Sequence, residues 1–98
     1  MSEQLTRADF NVCLNTTFNV QAQETIFPLE LLECNDLGTT DKQEQFSLIF
    51  RGPINWILQQ MIYPVSHERL GDLELFLVPI KKDNQGVYYE AIFNYFRE

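Results

Sequence analysis

The chain has 98 residues, enough for one modest hydrophobic core, so we expect a single domain over residues 1–98. Apolar residues make up 45% of the chain and aromatic residues 13%, a composition typical of globular proteins and not of disordered ones. The formal net charge is −7, which repels phosphate backbones, and the only adjacent basic pair, Lys81–Lys82, falls in a predicted turn. We therefore expect no nucleic-acid partner.

The two cysteines, Cys13 and Cys34, do not form a CxxC motif and lie among apolar residues, which predicts two buried thiols. No segment approaches the roughly 20 apolar residues of a membrane span. The opening residues lack the apolar centre of a secretory signal. We expect no membrane association and a cytoplasmic location.

The first element in the chain is a predicted short helix over residues 5–14. Thr6 is a good N-cap, with Asp9 three residues later as a variant of the capping box. Leu5 and Phe10 stand where a hydrophobic staple requires apolar residues. A helix this short is unstable alone, so we expect it to dock on the sheet and plug one opening.

Alternating apolar and polar residues predict the strands. We place six, over residues 18–23, 25–34, 46–51, 58–66, 73–80 and 87–96. The polar segment 35–43 is the longest predicted loop, and Pro28 indicates a strand edge or a bulge. The strand over 73–80 is apolar at nearly every position, so we expect it to be central and covered on both faces.

The same alternation predicts which side chains form the core. In the predicted turns, Gly71 is free to take a positive φ, and Asn84 and Gly86 are both suited to a left-handed residue. The predicted core positions are Phe18, Val20, Ala22, Phe27, Leu29, Leu31, Phe46, Leu48, Phe50, Met61, Tyr63, Val65, Leu75, Leu77, Tyr89, Ala91 and Phe93. Strands joined as hairpins bury one face only by closing or stacking. The predicted fold is mainly β, a small antiparallel barrel or sandwich of about six strands with one short N-terminal helix.

Motifs for catalysis or for metal binding are missing. His67 is the only histidine, whereas an ordinary metal site needs three or four converging ligands. No G-x-S-x-G elbow occurs, and the four glycines are too isolated to form a phosphate-binding loop. We expect no cofactor, no metal and no enzymatic activity; an enzyme using His67 with Glu68 or Arg51 is the alternative.

Three residues are candidates for contact with a partner: Arg51, Trp56 and His67. Arg51 ends an apolar strand, and its guanidinium could instead bind loop carbonyls or a carboxylate such as Glu90. Trp56 lies in a connector, either as a cap on the core or as a partner-facing anchor. His67 ends a strand and could instead hydrogen-bond the following turn.

The second half of the chain resembles a known family. Its motifs are FSLIFRGP at 46–53, SHERLGDLELFLVPI at 66–80 and YYEAIFN at 88–94, and the opening LTRADF also fits. These are similar to a family of short, uncharacterised bacterial and phage-related domains. The connector INWILQQMIYPVSH is bulkier than is usual for the family. Members are often encoded near phage-tail-like or surface-fibre genes, so the resemblance implies an accessory or structural role.

These observations favour a non-enzymatic β interaction module that binds a protein partner or a second copy of itself. A barrel can also leave a pocket at one mouth, which Tyr63 and Tyr89 could line, so a small-ligand-binding barrel is the second hypothesis. An acidic phage-borne inhibitor is a more distant alternative and requires the acidic residues to gather on one face.

Overall fold

The computed structural model describes residues 5–96. It contains one helix, α1 (Arg7–Asn11), and six strands: β1 (Thr17–Ala22), β2 (Thr25–Thr39), β3 (Gln43–Gly52), β4 (Met61–His67), β5 (Gly71–Asp83) and β6 (Gly86–Phe96). The predicted single domain also includes residues 1–4 and 97–98, which lie outside the described residues.

The six strands form one closed antiparallel barrel in the order β1-β2-β3-β6-β5-β4. The chain makes two three-stranded meanders, β1–β3 and β4–β6. They meet at two junctions, β3 with β6 and β4 with β1. The predicted mainly β fold is confirmed, and closure decides between the barrel and the sandwich. A closed sheet satisfies its backbone edges and buries one face without a second layer.

The barrel interior is filled by side chains from all six strands. Phe18, Phe46 and Phe50 are completely buried, and Phe18 meets Phe50 edge to face at a centroid distance of 5.3 Å. Most predicted core positions are confirmed: Phe18, Val20, Phe27, Leu29, Leu31, Phe46, Leu48, Phe50, Tyr63, Val65, Leu75, Leu77, Tyr89 and Ala91 are buried. Ala22 and Phe93 are partly buried against this cluster.

The middle strand of each meander is long because it pairs with a different neighbour along each part. β2 pairs with β1 up to Glu30 and with β3 from Glu30 onward, with register shifts at 31–33 and 36–38. The predicted loop over 35–43 is therefore wrong, since Asn35–Thr39 continues β2. The backbone of this segment pairs with β3, and polar side chains do not prevent such backbone pairing. Pro28 lies where β2 pairs with β1 alone, at the expected strand edge.

The expectation that β5 is covered on both faces is wrong. Phe76 and Ile80 are each 47% exposed, and Glu74 is exposed beside them. A barrel has one interior, and no second layer of the described chain covers the outer face of β5. The apolar run in β5 therefore places large side chains on the surface.

Helix α1 closes one end of the barrel. Thr6 and Asp9 form the predicted capping box, with the Thr6 amide donating to Asp9 Oδ2 at 2.8 Å. Phe10 is fully buried, with its ring centroid 5.9 Å from that of Phe46 and 5.2 Å from that of Phe93. The plug is thus confirmed, but the helix is shorter than predicted, since it ends at Asn11 with Val12 as its C-cap. Asn15 then adopts φ 64°, and its amide donates to the Leu31 carbonyl, which joins the chain to β2. Within residues 5–96, no helix is both long enough and apolar enough to traverse a bilayer.

In two of the turns a glycine supplies a positive φ. Gly71, after the β4–β5 turn, has φ 77°, and Gly86, after the β5–β6 turn, has φ 156°. A Cβ at Gly86 would also collide with the Gly52 carbonyl oxygen. Asn84 was predicted as a further left-handed position, but it does not have positive φ.

Candidate functional site: the seam between β1 and β4

The junction that closes the barrel between β1 and β4 is very short. Its ladder consists of Asn19 opposite Ser66 and Val20 opposite Val65, whereas the β3–β6 junction has ten pairs. Continuing the register would place Gln21 opposite Pro64, which has no N–H to donate to a ladder. From this point β1 and β4 part, and we call the gap between them the seam.

A groove of about 470 Å³ opens at the seam. One wall is the end of β1 and its turn, the other is the start of β4, and the connector 53–60 borders it. The lining residues are Gln21, Ala22, Gln23, Trp56, Ile57, Leu58, Gln59, Met61, Ile62, Tyr63 and Pro64. None of these described residues is charged, in a chain where 21% of residues are. A concave surface without charged side chains is suited to contact with apolar groups of a ligand or partner.

Trp56 stands on the rim of the groove and is 47% exposed. One side of its indole packs on Phe27 of β2, with ring centroids 5.3 Å apart and an interplanar angle of 31°. Ile57, Met61 and Ile62 are exposed beside it. The ring therefore caps Phe27 and leaves its other side exposed, and a partner contact at Trp56 remains a prediction.

The connector is held to the barrel from inside. The Leu58 side chain is buried, and its backbone N–H donates to the Tyr89 hydroxyl at 2.9 Å. The Tyr89 hydroxyl in turn donates to the Trp56 carbonyl at 3.5 Å, and the Tyr63 hydroxyl donates to the Gln59 carbonyl at 2.6 Å. Burial raises the pKa of the Tyr89 phenol, which stays protonated. These bonds fix Trp56 and Ile57 at the rim.

Arg51 lies outside the groove lining, at the end of β3. Its guanidinium binds Glu30 Oε1 through Nη2 at 2.8 Å and Gln85 Oε1 through Nη1 at 3.3 Å. Hydrogen bonds to Glu30 and Tyr88 raise the pKa of this guanidinium. The carboxylate it binds is thus Glu30 on the paired strand and not Glu90. The side chain keeps 32% exposure, and its prediction as a partner contact is not tested by this geometry.

His67 is 5% exposed and lies in a closed hydrogen-bond network. Its Nδ1 accepts from the backbone N–H groups of Arg69 and Leu70 at 3.0 and 3.2 Å. Nε2 then carries the proton and donates to Thr16 Oγ1 at 2.8 Å, while Thr16 Oγ1 donates to the Cys13 carbonyl. Burial lowers the pKa of the imidazole, which favours the neutral form. The bond to the following turn matches the structural alternative weighed for His67, whose partner contact remains a prediction.

Other reactive groups do not converge on the groove. Cys13 is buried and Cys34 half-buried, both are free thiols, and burial raises the pKa of each. Within residues 5–96, no three His, Cys, Asp or Glu side chains come close enough together to hold a metal ion. The groove lining consists of amide, hydroxyl and apolar side chains.

The sequence pointed to Trp56 but not to the groove around it. Met61 was assigned to the core by alternation, and it is 49% exposed because β1 has already moved away from β4 at that level. Tyr89 was placed in the core, but its role as the anchor of the connector was not foreseen. The available signals were Pro64 within a strand and the unusually apolar connector around Trp56.

Comparison with known proteins gives a family and no activity. Neither a search of curated proteins nor a search of solved structures returned a match. The profile of one family, Domain of unknown function (DUF6916), matches residues 5–93, which include α1, the seam and most of β6. The chain therefore belongs to the DUF6916 family.

Proposed function

We propose that this protein is a non-enzymatic interaction module that binds a protein partner through the groove at the seam, with Trp56 as the central contact. The observation that carries the proposal is the uncharged groove of about 470 Å³ with Trp56 fixed on its rim at 47% exposure. Tryptophan is enriched among the residues that dominate binding energy at protein interfaces. Because Tyr89 and Phe27 fix the connector before a partner arrives, little ordering of Trp56 opposes association.

The partner we propose is a component of a phage-tail-like or surface assembly. The support is the resemblance of the motifs at 46–53, 66–80 and 88–94 to bacterial and phage-related domains encoded near such genes. The net charge of −7 disfavours binding to nucleic acid, which is consistent with a protein partner.

The test is an affinity capture from the native host, with matched variants. Ile57→Ser and Ile92→Ser remove the same side chain from positions that are 53% and 56% exposed, but only Ile57 lines the groove. We expect one near-stoichiometric partner with wild type and with Ile92→Ser, and its loss with Ile57→Ser and Trp56→Ser. Unaltered circular dichroism would show that the variants fold. Equal capture by all four proteins would contradict the proposal.

A small apolar ligand is the second candidate, because the groove volume falls within the usual range of about 300–1,000 Å³ for ligand sites. Tyr63 lines the groove, whereas the Tyr89 hydroxyl is occupied by the connector. Native mass spectrometry of the purified protein distinguishes this candidate. A bound mass that disappears in Trp56→Ser would favour the ligand.

A further inference from the structure

The groove at the seam continues onto the outer face of the barrel. A second cleft of about 400 Å³ lies on the outside of β1, β4 and β5, and Gln21 and Pro64 line both. Its far end is formed by Ser66 and Asp72, and Glu74 lies opposite Pro64, closer to where the two clefts meet. We call the combined surface the trough.

Strand edges are open along the inner part of the trough. Beyond Val20 and Val65, the backbones of Gln21–Ala22 and of 61–64 have no ladder partner across the seam. The opposite side of each strand is paired, β1 with β2 and β4 with β5. Unpaired strand edges bind extended peptides by adding main-chain hydrogen bonds. A compact small molecule would leave these backbone groups unused.

The two ends of the trough differ in charge. The inner end presents Trp56, Ile57 and Met61, and the outer end presents Asp72 and Glu74, which the register places beside Ser66 and Pro64. Both carboxylates are exposed, and the ion pair found among the described side chains is between Arg51 and Glu30, remote from them in the register. Neither Asp72 nor Glu74 therefore has a described cation against it. The outer end is complementary to a positive charge.

We propose that the trough binds an extended peptide segment of a partner protein, with an apolar side chain at one end and a Lys or Arg at the other. This inference rests on the proposed function and names the chemistry of the partner. The distance along β4 from Met61 to Ser66 is five residues, or about 17 Å at roughly 3.4 Å per residue. In an extended segment, side chains facing the same side recur every two residues. Same-side spacings of four and six residues bracket this span, and four is favoured because Glu74, opposite Pro64, lies nearer to Met61 than Asp72 does.

The experiment is selection from a random heptapeptide library displayed on filamentous phage, using the intact chain as bait. Selected peptides are then synthesised and titrated by following Trp56 emission, which reports the trough because Trp56 is the only tryptophan in the chain. We expect peptides with an apolar residue about four positions from Lys or Arg. We also expect slower amide hydrogen exchange at Gln21, Ala22 and 61–63 when a peptide is bound.

Charge reversal tests the outer end against a matched control. Asp72→Lys with Glu74→Lys changes the net charge from −7 to −3, and so does Glu33→Lys with Asp41→Lys, on exposed positions outside the trough. We expect the first pair to weaken peptide binding about tenfold at low salt and the second by less than about twofold. The difference should shrink in about 0.5 M salt, since exposed charges are screened.

Several results would overturn the peptide assignment. They are selection of no binder, equal affinity of both charge-reversed proteins, and binding that leaves Trp56 emission unchanged. A dimer in analytical ultracentrifugation that Trp56→Ser abolishes would assign the trough to a second copy. If a captured partner is lost with Trp56→Ser but retained after reversal of Asp72 and Glu74, the proposed function stands and this inference fails.

Discussion

Removal of the Tyr89 hydroxyl should loosen the connector that carries Trp56. In Tyr89→Phe the ring and its packing remain, but the Leu58 N–H loses its acceptor at 2.9 Å and the Trp56 carbonyl loses its donor at 3.5 Å. The Leu58 side chain is 4% exposed, so water has little access to the freed amide. A buried donor left without a partner costs about 1–3 kcal/mol, and we expect a loss of about 1–2 kcal/mol in the free energy of unfolding.

The measurement is urea unfolding together with Trp56 emission in the native state. In a thermal melt, each kcal/mol lost should lower Tm by about 4–8 °C for a chain of this size. We also expect Trp56 emission to shift to longer wavelength, because a freer connector exposes the indole to water.

Tyr88→Phe is the matched control for this prediction. It makes the same chemical change at the adjacent residue, whose hydroxyl donates to Asp83 Oδ1 at 3.3 Å beside the exposed β5–β6 turn. Tyr88 is itself only 8% exposed, but the Asp83 carboxylate that loses the bond is exposed and can bind water instead, so we expect a change of less than about 1 kcal/mol in the free energy of unfolding. If Tyr89→Phe is as mild as Tyr88→Phe and leaves the emission unchanged, then the hydroxyl does not hold the connector.

Three further predictions concern the barrel itself. Phe50→Ala should lower the free energy of unfolding by about 3–5 kcal/mol, because Phe50 is 0% exposed. Ile92→Ala, at an exposed position, should lower it by less than about 0.5 kcal/mol. Similar urea midpoints for the two variants would show that Phe50 does not face the barrel interior. Gln23 and Glu24 form a two-residue hairpin turn with φ 51° and 64°, a conformation that Asn-Gly favours. Gln23→Asn with Glu24→Gly should therefore raise the free energy of unfolding by about 1 kcal/mol. A lower Tm for this variant would contradict the positive φ angles of the turn. Burial lowers the pKa of folded His67, so the unfolded chain binds the proton first and stability is lost as the pH falls below about 6.5. His67→Asn should remove this contribution, so the stability difference between wild type and variant should narrow between about pH 7.5 and pH 5, and a constant difference would exclude titration of His67.

Local sequence patterns predicted what depends on neighbouring residues. The capping box at Thr6 and Asp9 needs only a spacing of three, and the alternation in 46–51 needs only the pleat of one strand. The short seam and the exposure of Met61 depend instead on how far β1 has diverged from β4, which begins 39 residues after the end of β1. Such divergence depends on Pro64 and on the shear of the whole barrel. A short stretch of sequence does not contain the information that sets the shear.

The same limit applies to the candidate site. Trp56 could be recognised as an unusual residue for a connector, since exposed tryptophan is costly without a partner or a packing surface. Its groove could not be foreseen, because the walls come from β1 and β4 and the anchor comes from Tyr89 on β6. The neutral, buried state of His67 also depends on a distant residue, Thr16, whose hydroxyl accepts from Nε2.

The two junctions between the meanders contribute unequally to the closure of the barrel. The β3–β6 junction, with ten pairs, can hold the meanders together, so the β1–β4 junction needs few ladder bonds for the barrel to remain closed. Phe10 packs beside Phe18 on one side of the short ladder, and Leu58 fills the interior on the other, so the core stays covered where the backbones part. Ile57, adjacent to the inward Leu58, faces outward as expected for an extended chain, whereas Trp56 packs on Phe27 and stays 47% exposed. A partner bound at the seam would therefore contact the segment that closes the barrel, and its binding energy would add directly to the stability of the fold.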